Sequence, residues 1–117
     1  MTNYNHFMKY TLLLLTLTLT TAQANLITLD TRLGVTQQIL IEQPDNSKAN
    51  LILFAGGKGK LKLGSDKYKS NGNFLIRTRQ LFIDKDFTTI LIDAPSDKQD
   101  NLGMLKGFRN SQEHVQD

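Results

Sequence analysis

The chain reads as an α/β fold, an amino-terminal β-hairpin followed by one βαβ unit, and three patterns predict it. Two stretches that alternate apolar and polar residues meet at Gly34. Two short apolar runs, residues 51–54 and 88–92, look like strands of a buried sheet. Between those runs lies a segment with the 3.6-residue repeat of an amphipathic helix.

Residues 1–24 precede this pattern and carry the parts of a secretory signal in order, so they are expected to be removed. Lys9 is their only formal charge. Leu12, Leu13, Leu14, Leu15, Leu17 and Leu19 form the apolar centre, and Ala22-Gln23-Ala24 is a small-x-small cleavage site. A membrane anchor is the competing reading. An apolar stretch of about 11 residues interrupted by threonines is shorter than the ~20 that a transmembrane helix needs. Cleavage after Ala24 would start a secreted or periplasmic domain at Asn25, with no membrane span left.

Residues 25–117 are few for a sheet covered on both faces, because small domains bury a smaller fraction of their surface. The absence of cysteine rules out disulfides, zinc-thiolate sites and a thiol nucleophile. Thirteen of the 14 Lys and Arg and all 11 Asp and Glu lie beyond residue 24, a formal net charge of only +2 that names no partner. Five lysines do crowd one stretch: Lys58, Lys60, Lys62, Lys67 and Lys69. They could draw an anionic ligand through their local field or form a solvated basic loop. No aromatic platform interleaves with them as single-strand nucleic-acid sites require, so no nucleic-acid partner is expected.

In chain order, residues 27–33 and 35–42 form the hairpin, with Val35, Gln37, Ile39 and Ile41 on one face of its second strand and Thr36, Gln38, Leu40 and Glu42 on the other. Pro44-Asp45-Asn46-Ser47 is a turn. Residues 51–54 follow, read as a strand buried on both faces. A long glycine-bearing connection, residues 56–72, is of a length usually functional or mobile. Asn73 caps a helix over residues 74–86, whose packing stripe is Phe74, Leu75, Thr78, Leu81 and Phe82. Arg79 does not fit that stripe. It either snorkels along apolar surface or holds a carboxylate or neighbouring loop near the strand ends. Residues 88–92 complete the βαβ unit, and Asp93-Ala94-Pro95-Ser96-Asp97 leaves the same sheet edge as the glycine loop, where ligands bind in open α/β sheets. Ser111 caps a short final helix that carries His114.

The glycines fail both phosphate-loop spacings. Ser65 and Asp66 stand where a Walker loop needs Lys and Ser or Thr, and Gly57-Lys58-Gly59 is not followed by a third glycine in register. No Gly-x-Ser-x-Gly occurs. His114, the only imidazole after residue 24, is either a surface or packing residue or a general base. Asp93 and Asp97 could act as an acid/base pair or share a metal; Asx-type turn bonds around Pro95 are the preferred reading. No cofactor is expected.

The order of parts resembles the amino-terminal portion of an α/β-hydrolase. Phe54-Ala55-Gly56-Gly57-Lys58-Gly59, Gly72-Asn73-Phe74-Leu75-Ile76-Arg77-Thr78-Arg79, Asp93-Ala94-Pro95-Ser96-Asp97 and Gly107-Phe108-Arg109 with His114 are similar to an exported bacterial subgroup of that superfamily. The resemblance covers residues 27–117 and implies an incomplete three-layer sandwich that stops at the start of the helix before the nucleophile strand. It implies that the backbone N–H of Gly57 or Lys58 supplies half of an oxyanion hole, the second donor following the nucleophile. Nucleophile, acid and catalytic His would then all lie beyond Asp117, so the chain is expected to be inactive alone. Lys58 stands where the family's loop usually has His, although a backbone donor does not depend on its own side chain. Arg79, Asp93, Ser96, Asp97 and His114 are the other strand-end candidates. The implied partner is a polypeptide carrying the missing half, and the implied substrate, once the fold is completed, a small ester. The alternative is a small exported module that binds anionic ligands through the lysine-rich loop, residues 58–69.

Overall fold

The structure, a computed structural model, describes residues 22–65, 68 and 72–117. Most of the expected signal segment, residues 1–21, and Lys67 and Lys69 of the basic loop therefore lie outside the described residues.

Four strands and two helices make an α/β unit. The strands are β1 (Gln23–Arg32), β2 (Val35–Gln43), β3 (Ala49–Phe54) and β4 (Phe87–Ile92), and the helices are α1 (Phe74–Ile83) and α2 (Gln112–Gln116). They form one mixed sheet in the order β1-β2-β4-β3. β1 and β2 are antiparallel, with Ile27 opposite Ile39. β2 and β4 are antiparallel, with Leu40 opposite Leu91. β3 and β4 are parallel, with Leu53 opposite Leu91. The hairpin turns at Leu33-Gly34, where φ of +70° at Gly34 requires a residue free of a Cβ clash. β1 begins at Gln23, ahead of the alternation that starts at Ile27, and Ala24 already pairs with Glu42.

α1 begins as its capping residue dictates, the Asn73 side chain accepting the N–H of Leu75 at 3.1 Å. It ends earlier than expected, at Ile83 rather than near residue 86, with Asp84 as C-cap. Of the expected stripe, Phe82 packs against the core and Leu75 and Thr78 are half-buried, but its other two members depart from it. Phe74 and Leu81 are 66% and 63% exposed, while Ile76 and Ile83 are buried and Arg79 lies between them, half-buried. The face turns this way because Arg79 has a partner under the helix. Its Nε donates to Glu42 Oε2 of β2 at 2.8 Å, and Nη1 donates to the Ile76 carbonyl at 2.7 Å.

The core fills the space between α1 and one face of the sheet: Leu40, Leu53, Ile76 and Leu91, closed at the top by Leu61 and Leu63 of the connecting loop. Ile76 and Leu91 are fully buried, each removal from water contributing about 1.5–3 kcal/mol. The opposite face is not covered in the same way. Ile52 and Phe54 are 55% and 59% exposed, so β3 is buried on one face only, not on both as its continuous apolar run suggests. A run of that kind is expected where helices lie on both faces of a sheet; here α1 covers one, and the other is partly covered only near its carboxyl edge by segment 104–117, whose residues Met104 and Phe108 form a second small core with Ala94.

Candidate functional site

The carboxyl ends of β3 and β4 lie side by side, and the loops that leave them are tied together by one buried carboxylate. Asp93, only 2% exposed, accepts the N–H of Leu61 at 2.7 Å and of Ala94 at 2.8 Å on Oδ1, and that of Leu63 at 3.0 Å on Oδ2. The spacing Leu61-x-Leu63 follows from this. Two N–H groups pointing to Asp93 send both leucine side chains into the core. Gln37 adds a bond from Nε2 to the Asp93 carbonyl at 2.9 Å. Within its own turn the only backbone N–H that Asp93 accepts is that of Ala94, because Pro95 has no N–H for the expected Asx-type bond and Asp97 is turned to Arg32; its main role is a longer-range clamp that no local pattern in the sequence signals.

The glycine loop is fixed by its neighbours rather than by itself. Gly59 N–H closes a turn on the Gly56 carbonyl at 3.2 Å, with Gly57 at φ +60°. Arg109 Nη2 donates to the carbonyls of Ala55 and Gly57, both at 3.0 Å, and the N–H of Met104 reaches the Lys58 carbonyl at 2.9 Å. A Cβ at Gly103, where φ is +58°, would collide with the Lys58 carbonyl, a backbone group, so the close approach of the two loops requires glycine at 103. The backbone N–H groups of Gly57 and Lys58 donate to no group among the described residues. Lys60 Nζ is drawn to the Asp100 carbonyl at 2.6 Å.

The other candidates separate into two places. Ser96 and Asp97 lie on this edge, in a 3-10 turn over Ser96–Lys98. Ser96 Oγ accepts the N–H of Thr36 at 3.0 Å, and Asp97 accepts from Arg32 Nη2 at 2.9 Å. Burial pushes the Asp97 carboxyl up, but the hydrogen bond and charge of Arg32 outweigh it and hold the group below the usual carboxylate range. Arg32 is held protonated above its ordinary range, chiefly by its hydrogen bond to Asp117, whose side chain is fully buried and 2.7 Å from Arg32 Nε. His114 also reaches the edge. Its ring lies 5.3 Å from that of Phe108, and Nδ1 is shielded from solvent without a hydrogen-bond partner. Arg79 does not reach the edge: its partner Glu42 sits opposite Thr89, about 13 Å back along β4 from Asp93.

Sequence reasoning assigned no role to Arg109, Gln37 or the Arg32–Asp117 pair. Their partners lie 52 to 85 positions away in the chain, and nothing in local spacing marks them. Two cavities open here. One, of about 470 Å³, is bordered by Thr36, Gln38, Lys62, Ser65, Ser96 and Gln99 on the α1 side of the sheet. The other, of about 290 Å³, lies between the end of β3 and α2 and includes Arg109 and His114. No group of three or more His, Asp or Glu placed to hold a metal ion occurs among the described residues. Among the same residues no helix is long and apolar enough to cross a membrane. No protein-family model, curated protein or solved structure matches the chain.

Proposed function

We propose that this chain forms the amino-terminal, oxyanion-hole half of an exported α/β-hydrolase-like esterase and is inactive without a further strand carrying the nucleophile. The observation that carries the reading is the position of β3. It is parallel to β4, ends in the glycine loop, and has its second edge unpaired by β1, β2 or β4. A strand–turn–helix elbow exposes its serine at the carboxyl edge of the sheet. Only a parallel strand on the free side of β3 would bring that serine beside Gly57 and Lys58, because β4 is already flanked on both sides. The unengaged N–H groups of Gly57 and Lys58 supply the donor such a site requires.

The test is ester hydrolysis with and without the completing half. Alone, the chain is expected to hydrolyse p-nitrophenyl butyrate no faster than buffer. Co-expressed with a polypeptide that supplies a strand, Gly-x-Ser-x-Gly, an acid and a His, it should gain activity. Gly57→Pro should abolish that activity, and Lys58→Met, which keeps the N–H, should preserve it. Hydrolysis by the chain alone that disappears on changing Gly57 or Asp93 would falsify the proposal.

The 470 Å³ cavity favours a second reading, an exported module for anionic ligands. Lys62 Nζ and Gln38 Nε2 there donate to no group among the described residues, and Thr36 and Ser96 add hydroxyls. Salt-sensitive binding of a phosphate monoester, lost in Lys62→Met, would support it over the first.

A further inference from the structure

β3 ends one side of the sheet without any of the features that keep strand edges from pairing. Alternate residues of a strand turn their N–H and C=O groups to the same side, so part of the β3 backbone points away from β4. Among the described residues, none outside the sheet hydrogen-bonds to the backbone of residues 50–54. Asn50, Ile52 and Phe54 stand exposed, and residues 49–54 hold no charge, proline or register shift. Such an edge is a template for a further strand.

We infer that this chain forms a homodimer by antiparallel pairing of β3 with β3 of a second copy, about a two-fold axis normal to the sheet at Ile52. The occupant follows from the sequence of the strand. A two-fold contact sets the same surface against itself, so a charge near the axis would meet its own copy, and like charges opposite each other destabilise a strand pair. Residues 49–54 bring none, and the nearest charge in the chain, Lys48, is paired with Asp86 at 2.7 Å. Centred on Ile52, the pairing sets Ile52 against Ile52 on the open face. Leu51 meets Leu53 on the α1 side, where both already join the core, and Asn50 meets Phe54. Moving the axis to Leu51 sets Ile52 against Asn50, and moving it to Leu53 leaves only residues 52–54 paired. The contact joins two four-stranded sheets into one of eight. Five residues a side are far fewer than the roughly 20–30 of a standard interface, so the dimer is reversible and depends on concentration. It uses the edge that the esterase reading gives to the nucleophile strand, so the two are exclusive states of β3, but the dimer does not rest on that reading.

The experiment is sedimentation velocity of the full chain from about 1 to 500 μM, over which the mass should rise reversibly from monomer towards dimer and no further. Ile52→Lys, at a side chain 55% exposed, should keep the far-UV circular dichroism and weaken the dimer by about tenfold or more, because two like charges then face each other across the axis. Ile52→Glu alone should do the same, and an equimolar mixture of the two variants should recover dimer. Leu29→Lys, on the same face but on β1, should leave the association unchanged. A gentler variant, Ile52→Cys in a chain without other cysteine, should give a disulfide-linked dimer on oxidation, since Cα atoms opposite each other in antiparallel strands lie ~4.5–5.5 Å apart. The inference fails if the chain stays monomeric or grows beyond a dimer. It fails equally if the mixture associates no better than either variant alone, if Ile52→Cys does not cross-link, or if Leu29→Lys weakens association as much as Ile52→Lys, which would put the contact on the open face instead of the edge. None of these failures bears on ester hydrolysis by the completed enzyme.

Discussion

The two faces of the sheet differ sharply in what covers them. On the α1 side, Leu40, Leu53 and Leu91 meet Ile76 under a helix and two loop leucines, and even the charged residues there are paired across the contact. On the other side Ile52 and Phe54 remain more than half exposed, and the segment 104–117 reaches only the carboxyl edge. The two edges differ likewise. β1 carries Asp30, Arg32 and a register irregularity between them, devices that discourage pairing with another chain. β3 runs Ala-Asn-Leu-Ile-Leu-Phe without charge, proline or bulge. One face and one edge are finished surfaces, and the other face and edge have the character of a contact surface.

The largest expected effect tests the faces directly. Leu91→Ala removes a fully buried side chain between α1 and the sheet and should cost about 2–5 kcal/mol, whereas Ile52→Ala, one strand away on the open face, should stay within about 1 kcal/mol. Urea denaturation of the two variants measures the difference. Equal losses would mean that Ile52 is covered in solution, and Ile52→Lys would then also unfold the chain rather than merely reduce self-association along β3.

How much of this was legible in the sequence follows from how local each cause is. The hairpin at Gly34, the Asn73 and Ser111 caps and both βαβ strands are set by neighbours in the chain, and they were readable. The buried side of α1 was not, because counting apolar residues selects Phe74 and Leu81, while the actual face is fixed by Glu42, 37 positions before Arg79. The apolar run 51–54 was correctly a strand, but a run says nothing about whether a second layer is present. At the site, Gly57, Lys58, Asp93, Ser96, Asp97 and His114 do share one edge, as expected from strands whose carboxyl ends point the same way. Arg109 was missed because its work is done through backbone carbonyls, which carry no sequence signature.

The clamp at the shared edge should matter next. Asp93→Asn keeps the shape but substitutes one amide oxygen for two charged acceptors, so at least one of the N–H groups of Leu61 and Leu63 loses its partner. A loss of about 1.5–3 kcal/mol is expected. Amide hydrogen exchange should show it concentrated at residues 61–64, and a loss spread evenly over the sheet would argue against a local clamp.

A smaller effect separates the Arg79–Glu42 pair from simple packing. Both side chains keep some exposure, 13% and 11%, so the pair stabilises less than a fully buried one. Glu42→Gln and Arg79→Met each remove the ion pair, and the double variant removes it once; their coupling energy should be about 1–2 kcal/mol. A coupling near zero would return Arg79 to the role of an aliphatic stem lying on apolar surface.

The smallest effect is a pH dependence confined to the less covered side. Asp97 is depressed by Arg32 against the opposing effect of burial, Asp100 by the N–H groups of Gly103 and Leu102, and Glu113 by its own backbone N–H and by Ser111. A carboxyl whose folded value lies below its unfolded one stabilises the fold above the unfolded pKa, about 4, and that contribution is lost as pH falls through the lower folded value. All three groups lie in residues 97–113, whereas the α1 face rests mainly on apolar contacts, with Glu42 held by Arg79 and Asp93 by the N–H groups of Leu61 and Leu63. Lowering the pH from about 5 to 3 should therefore loosen residues 97–117 before β3 and β4, and hydrogen exchange across that range should show protection lost first around Gly103 and Ser111. Simultaneous loss in Leu53 and Leu91 would mean that the two sides of the sheet are one cooperative unit despite their unequal cover.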